Sequence, residues 1–233
     1  MRQSFLVLLA AAGCQSQLAE QPAELPLDTV FRIELDGTLV DAVVTQSEFL
    51  TIDTQTSWRG QRNVPNISHE VTDGVLRITG ECAEIATSCE VVHVLGVPDD
   101  VLTVLDLDRG NVLIDGANRT ELGLFGGDVQ LQNLRGSHSV SLIDGSILGT
   151  ELAPDELSLT TDGSVDLSFG APPSLLQIDA GASVLLSVPG GAYRLGLDAG
   201  LGGVFTEGVF HSDDAGSTLD VASRAGQIIV RGR

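Results

Sequence analysis

The densest group of ligand-type side chains in the 233-residue chain lies in the stretch FTEGVFHSDDAG, where Glu207, His211, Asp213 and Asp214 fall close together. Three carboxylates and an imidazole are donors that could hold a divalent cation. The competing reading is a solvated acidic loop, and the expectation is that no metal is held there. Phe205 and Phe210 in the same stretch are expected to pack rather than to recognise anything. A second arrangement is Asp144 and Asp162, which would stack if the chain wound with an 18-residue period. A carboxylate ladder of that kind could hold calcium. Against it, Ala180, Ala199 and Ala225 occupy the equivalent place further on, and the glycine-rich nonapeptide of calcium-binding β-rolls is absent, so these aspartates are expected to shape turns. Cleavage of a polysaccharide would need paired carboxylates beside a cation, with aromatic platforms for the sugar. The chain has one Trp (Trp58), one Tyr (Tyr193) and no Lys, and the spacings of Arg109, Arg119 and Arg135 do not match the period. No catalytic residue and no cofactor is therefore expected.

The elements that would carry these residues are written as a repeated phrase. SLTTDGSVDLSFG, beginning at Ser158, is an alternating apolar run, an Asp-Gly turn and a second alternating run. Alternation marks strands with one buried face. The turn glycines Gly110, Gly127, Gly145, Gly163, Gly181, Gly200 and Gly226 are separated by 17, 18, 18, 18, 19 and 26 residues. Glycine can supply a positive-φ turn, and an Asp before it can accept hydrogen bonds from the turn amides. A chain of antiparallel hairpins would also use Asp-Gly turns. Hairpins do not require constant spacing, however, whereas a winding chain does, because each coil must lay its strand on the previous one. The reading is an all-β, single-stranded β-solenoid of about 18 residues per coil, with seven coils over residues 101–233 and a height of roughly 34 Å. The final strand, QIIV, would be an open edge guarded by Arg231 and Arg233.

The formal net charge is −20, and all 12 basic residues are Arg. Such a surface repels phosphate backbones and anionic lipid, which excludes nucleic acid as a partner and leaves cations or basic partners open. The N-terminus, MRQSFLVLLAAAGCQSQ, has one Arg, a short apolar run and small residues before Cys14, the pattern of a secretory signal too short to span a bilayer. Cys82 and Cys89 are expected to form a disulfide, because no other Cys or suitably spaced His joins them as metal ligands.

Two resemblances follow. The residues before Cys14 resemble the lipobox of bacterial lipoproteins, which implies that residues 1–13 are removed, that Cys14 carries lipid and that residues 14–28 form a tether. Ala11 departs from the Leu preferred there, and ordinary cleavage near Gly13 is the alternative. Gln15 in place of Asp implies the outer membrane. The Val-Pro step leading into the repeats (GVPDDVLTVLDLDRGNVLIDG), its recurrence as SVPGGAYRLGLDAG and the ending STLDVASRAGQIIVRGR resemble the adhesin-like β-solenoid domains of unknown function related to the auto-transporter adhesin head. The resemblance implies a right-handed β-helix-like domain over residues 29–233, with N-terminal coils and a cap in 29–100 and regular repeats in 101–233. It brings no catalytic residues. The expected function is a lipid-anchored structural or adhesin-like interaction module at the cell envelope, periplasmic or surface-facing. Its partner would be a protein or glycan, met on one solvent face and by residues 201–216, with the membrane touched only through the lipid. The alternatives are an enzyme acting on envelope polysaccharide and a calcium-binding solenoid.

Overall fold

The structure, a computed structural model, describes residues 29–58, 64–82 and 89–233. Cys14, the signal and the tether lie outside them. Among the described residues the fold is all-β, with no helix and one large mixed sheet of 19 strands. In chain order these are β1 (Arg32–Thr38), β2 (Val40–Gln46), β3 (Thr51–Trp58), β4 (Asn66–Thr72), β5 (Val75–Glu81), β6 (Cys89–Val97), β7 (Leu102–Arg109), β8 (Val112–Asp115), β9 (Arg119–Gln132) and β10 (Ser137–Leu152). They continue as β11 (Glu156–Thr161), β12 (Val165–Phe169), β13 (Leu175–Ala180), β14 (Val184–Val188), β15 (Gly191–Asp198), β16 (Val204–Glu207), β17 (Val209–His211), β18 (Thr218–Ser223) and β19 (Ile228–Gly232).

The alternation in the sequence is the alternation in space. Leu157, Leu159, Val165 and Leu167 are all buried, with polar residues between them facing out. Along the middle of the chain, equivalent strands lie parallel on one another. Thr103 pairs with Thr120, Arg119 with Ser137, Ser137 with Glu156 and Glu156 with Leu175, each partner standing one turn-glycine interval further along the chain. The second strand of each repeat keeps the same interval, Val112 pairing with Val129, Ile147 with Val165 and Val165 with Val184. These are the parallel pairings that a constant spacing demands; hairpins would have given antiparallel ones.

Order in space departs from order in sequence at both ends. β1 and β2 lie between β5–β6 on one side and β7–β8 on the other. At the far end β18 lies between β13 and β15, and β19 between β14 and β16. QIIV is therefore not an open edge: β19 is paired on both sides, and the outer layer is made of β15 and β16. The long gap between Gly200 and Gly226 is likewise not a loop outside the repeat, since it contains β16 and β17. Beyond β5 and β6 the sheet continues with two antiparallel strands, β4 on β5 and β3 on β6. The Cys82–Cys89 disulfide, with Cα atoms 5.8 Å apart, ties the end of β5 to the start of β6.

Columns of side chains run the length of the core. One reads Ile78, Leu35, Leu105, Leu122, Val140, Leu159, Ile178, Val221 and Leu197 through paired strands. Burying such aliphatic side chains contributes about 1.5–3 kcal/mol each. The neighbouring column changes character midway, where Thr103, Thr120 and His138 follow Ile33 and precede Leu157. Thr103 Oγ1, Thr120 Oγ1 and His138 Nδ1 are buried with no hydrogen-bond partner, while His138 Nε2 donates to the Arg135 carbonyl.

The turn glycines have a stronger reason than turn conformation. A Cβ on Gly127 would lie 1.7 Å from the Gly110 carbonyl oxygen; on Gly145, 1.6 Å from that of Gly127; on Gly163, 1.6 Å from that of Gly145. Each glycine seats its backbone against the one beneath, which only a residue without Cβ allows. Gly110, Gly127 and Gly145 do take positive φ, whereas Gly163 is needed for space alone. Its amide is bonded by Thr161 Oγ1 at 2.9 Å rather than by Asp162, which pairs with Arg224.

Candidate interaction surface

The structure brings only part of the predicted cluster together. His211 closes β17, and its Nδ1 accepts the Leu195 amide N–H at 3.1 Å, so Nε2 carries the proton and donates to Asp213 Oδ1, also at 3.1 Å. With both ring nitrogens engaged, the imidazole pins the β17 end against β15. Glu207 lies on β16 beside Arg231 of β19, and Asp214 is exposed in the following turn. Among the described residues no three His, Cys, Asp or Glu side chains form a group that could hold a metal ion. Asp144 and Asp162 do occupy successive repeats at the glycine corner, but Asp162 is bound by Arg224, whose Nε also lies 3.8 Å from Asp179 Oδ1. That guanidinium comes from the inserted terminal segment and bridges two earlier repeats. Arg109 pairs with Gly126 and Arg119 with Ser137, so the three arginines do not stack.

The outer face of β9, β10, β11 and β13 has a shallow groove of about 250 Å³ where Arg119, Glu121, Ser137, Glu156 and Gln177 meet solvent. Leu102, Leu157 and Leu175 also line it, and its carboxylates come from different repeats. At the antiparallel end, the Thr54 hydroxyl lies between two imidazoles, 2.9 Å from His93 Nδ1 and 3.4 Å from His69 Nε2. Burial, with the neighbouring His69 adding to it, lowers the His93 pKa to about 4.

A different chemistry dominates the C-terminal end. β16 pairs only with β19, and β17 only with β15, among the described residues. Val204 continues the inward column of Ile228 but is 42% exposed, and Thr206, above buried Val230, is exposed too. Nothing among the described residues stacks on this layer. Leu195, Leu197 and Ala199 are half-buried against the core, whereas their equivalents one layer in, Leu219 and Val221, are sealed. Around them stand Leu201 at 86%, Phe205 at 57% and Phe210 at 61% exposure. Phe205 lies beside Ile229, and a groove of about 420 Å³ opens there between Glu207, Gln227 and Arg231. The expectation that the two phenylalanines pack inward is thus overturned: both face water. The cause is the side of the strand: Phe205 alternates with inward Val204 and continues the outward column of Ile229, Leu185, Asp166 and Leu148, the last 46% exposed inside the stack, and Phe210 pairs with exposed Ala192.

Sequence reasoning looked at other residues of this segment. It weighed the carboxylates of 201–216 and passed over Leu201, Val204, Phe205 and Phe210. The available signal was the crowding of large apolar residues in LGGVFTEGVF, where no polar residue alternates to give them a buried face.

No family model matches the chain, and no curated protein matches it. Solved structures do resemble it in shape. A proposed cell adhesion protein from Clostridium sporogenes is 11% identical, with 95% of this chain and 99% of that chain covered and a TM-score of 0.42. A proposed lipid binding protein from Parabacteroides distasonis is 17% identical over 88% of this chain and 93% of the other, with a TM-score of 0.39. A proposed adhesin from Parabacteroides merdae is 11% identical over 94% and 95%, with a TM-score of 0.38. At these values none of them bears on what this chain does.

Proposed function

We propose that the chain is a β-solenoid whose coil length is the interval between its turn glycines, exported and anchored through lipid on Cys14, that serves as a non-enzymatic, adhesin-like interaction module at the cell envelope. Parallel pairing of each strand with its equivalent one interval later supports the solenoid. The single observation that carries the interaction role is the uncovered apolar layer of β15–β17, with Leu201, Val204, Phe205 and Phe210 in water. Aromatic side chains on an open layer are the kind of anchor that dominates protein contacts. A stack of parallel strands also gives a stiff support, so such a layer is held out from whatever anchors the chain.

The test is cosedimentation with envelopes from the source cells. The Cys14→Ser chain, freed of its anchor, should bind them; adding Phe205→Glu and Phe210→Glu should remove the binding. Retention of full binding by the triple variant would refute the role given to this end. The groove where Arg119 and Glu156 stand beside Leu102, Leu157 and Leu175 supports a second reading, a glycan contact on the outer face. Under that reading Glu121→Gln with Glu156→Gln would lower envelope binding, and the phenylalanine substitutions would not.

A further inference from the structure

We infer that the partner of the C-terminal end is the same end of a second copy, the two chains meeting about a two-fold axis through β16; this rests on the reading of that end as the contact surface. Charge selects the partner. Residues 29–188 carry seven arginines against twenty-four carboxylates, so most of the rod repels another copy. From residue 189 onward four arginines, Arg194, Arg224, Arg231 and Arg233, stand against five carboxylates. Arg224 is held by Asp162 and Asp179 of earlier repeats, yet among the described residues this end still sets the smallest like-charge cost against a second copy, and end-to-end contact points the two acidic flanks away from each other. A strongly basic partner would be drawn to those flanks rather than to the balanced end.

Shape agrees with charge. β16 is extended, and one of its edges has no partner strand among the described residues, so it can pair antiparallel with the β16 of a two-fold mate. That pairing would bring inward-facing Val204 of each copy over the open core of the other and set outward-facing Phe205 beside its own counterpart, covering both open ends at once. A contact of a patch with itself closes at two copies, so the product is a dimer and not a filament. The opposite end is also partly apolar, with Ile52, Ile67 and Val71 half-buried beside Thr54 and His69, but it carries Asp53, Glu70 and Asp73 around them and is the more acidic of the two.

Sedimentation velocity of the full chain over a wide concentration series tests this. The expected result is a reversible monomer–dimer equilibrium that raised salt leaves intact or strengthens, because salt screens only the flanks. Phe205→Glu with Phe210→Glu should weaken it roughly a thousandfold, since each lost anchor is counted twice in a symmetric contact. Phe49→Glu, which alters an equally exposed phenylalanine near the other end, should leave it unchanged. A chain that stays monomeric throughout, a dimer dispersed by salt, or a dimer lost in Phe49→Glu would each overturn the inference. A monomeric chain whose envelope binding still depends on Phe205 and Phe210 would overturn only the second-copy partner and leave the contact surface standing.

Discussion

Acid should weaken the antiparallel end of the sheet, and His93 gives the size of the effect. His93 is fully buried on β6, and its pKa falls from 6.5 to about 4 chiefly because burial penalises the charged ring, with His69 on β4 adding like charge. The groups that meet it are the Thr54 hydroxyl on β3, the His69 ring with centroids 6.2 Å apart, and Gly80 on β5. None of these is a carboxylate able to compensate a proton. A base whose pKa is lower in the folded state is neutral in both states above 6.5, where its contribution is complete. As pH falls from 6.5 to about 4, the unfolded chain takes up the proton first and stability is lost; below that, both states are charged and the loss stops. The difference of about 2.5 units at 1.36 kcal/mol each predicts a loss of about 3 kcal/mol. His69 and His138 are also lowered by burial and act in the same direction. Urea unfolding of the wild type and of His93→Gln at about pH 7.5 and about pH 4 would isolate the residue, because carboxylate titration is common to both. The drop should be smaller by about 3 kcal/mol in the variant. Equal drops in the two proteins would refute the reasoning, as would an NMR titration placing the His93 pKa near 6.5.

Three further outcomes are expected. Gly145→Ala would force a Cβ to within 1.6 Å of the Gly127 carbonyl oxygen, so the repeats must separate there; the loss should exceed ~4 kcal/mol and show as a collapse in soluble yield and urea midpoint. Thr120→Val removes a buried hydroxyl without a partner while keeping its shape, and should raise stability by about 1–2 kcal/mol, measured by the same unfolding curve. Cys82→Ser with Cys89→Ser opens a loop closed over a separation of seven residues and should cost about 2–3 kcal/mol, with hydrogen exchange rising first in β4, β5 and β6.

Much of the repeat was legible because it is local. Leu157, Leu159, Val165 and Leu167 alternate around Asp162-Gly163, and every repeat from Gly110 to Gly181 does the same at nearly constant spacing. Parallel strands one repeat apart follow from that constancy alone. The disulfide followed from the absence of any third ligand. What sequence could not give was which repeat stands next to which at the ends. Leu219, Val221, Ile228 and Val230 alternate identically whether their strands close the stack or lie inside it. The difference is decided by β18 and β19 pairing with the strands before them, β15 and β16, and also reaching past these to β13 and β14, which leaves no mark on periodicity. The exposed phenylalanines were misjudged for another reason: each takes the outward position next to a valine, Val204 or Val209, that faces the core. The polar column of Thr103, Thr120 and His138 was invisible for a simpler one: each residue sits in a separate repeat, and only the register lines them up.

The placement of β18 and β19 sets the order of assembly during synthesis. Strands that leave the ribosome later fill an interior level, beneath a layer made earlier. The chain cannot fold to completion by adding levels from one end; β15 and β16 must wait, unsupported from below, until β18 and β19 slide in and Arg224 reaches back to Asp162. A product cut short near residue 217 would have a missing floor rather than a missing roof. Early termination would therefore remove an inner level even though every earlier strand has been made.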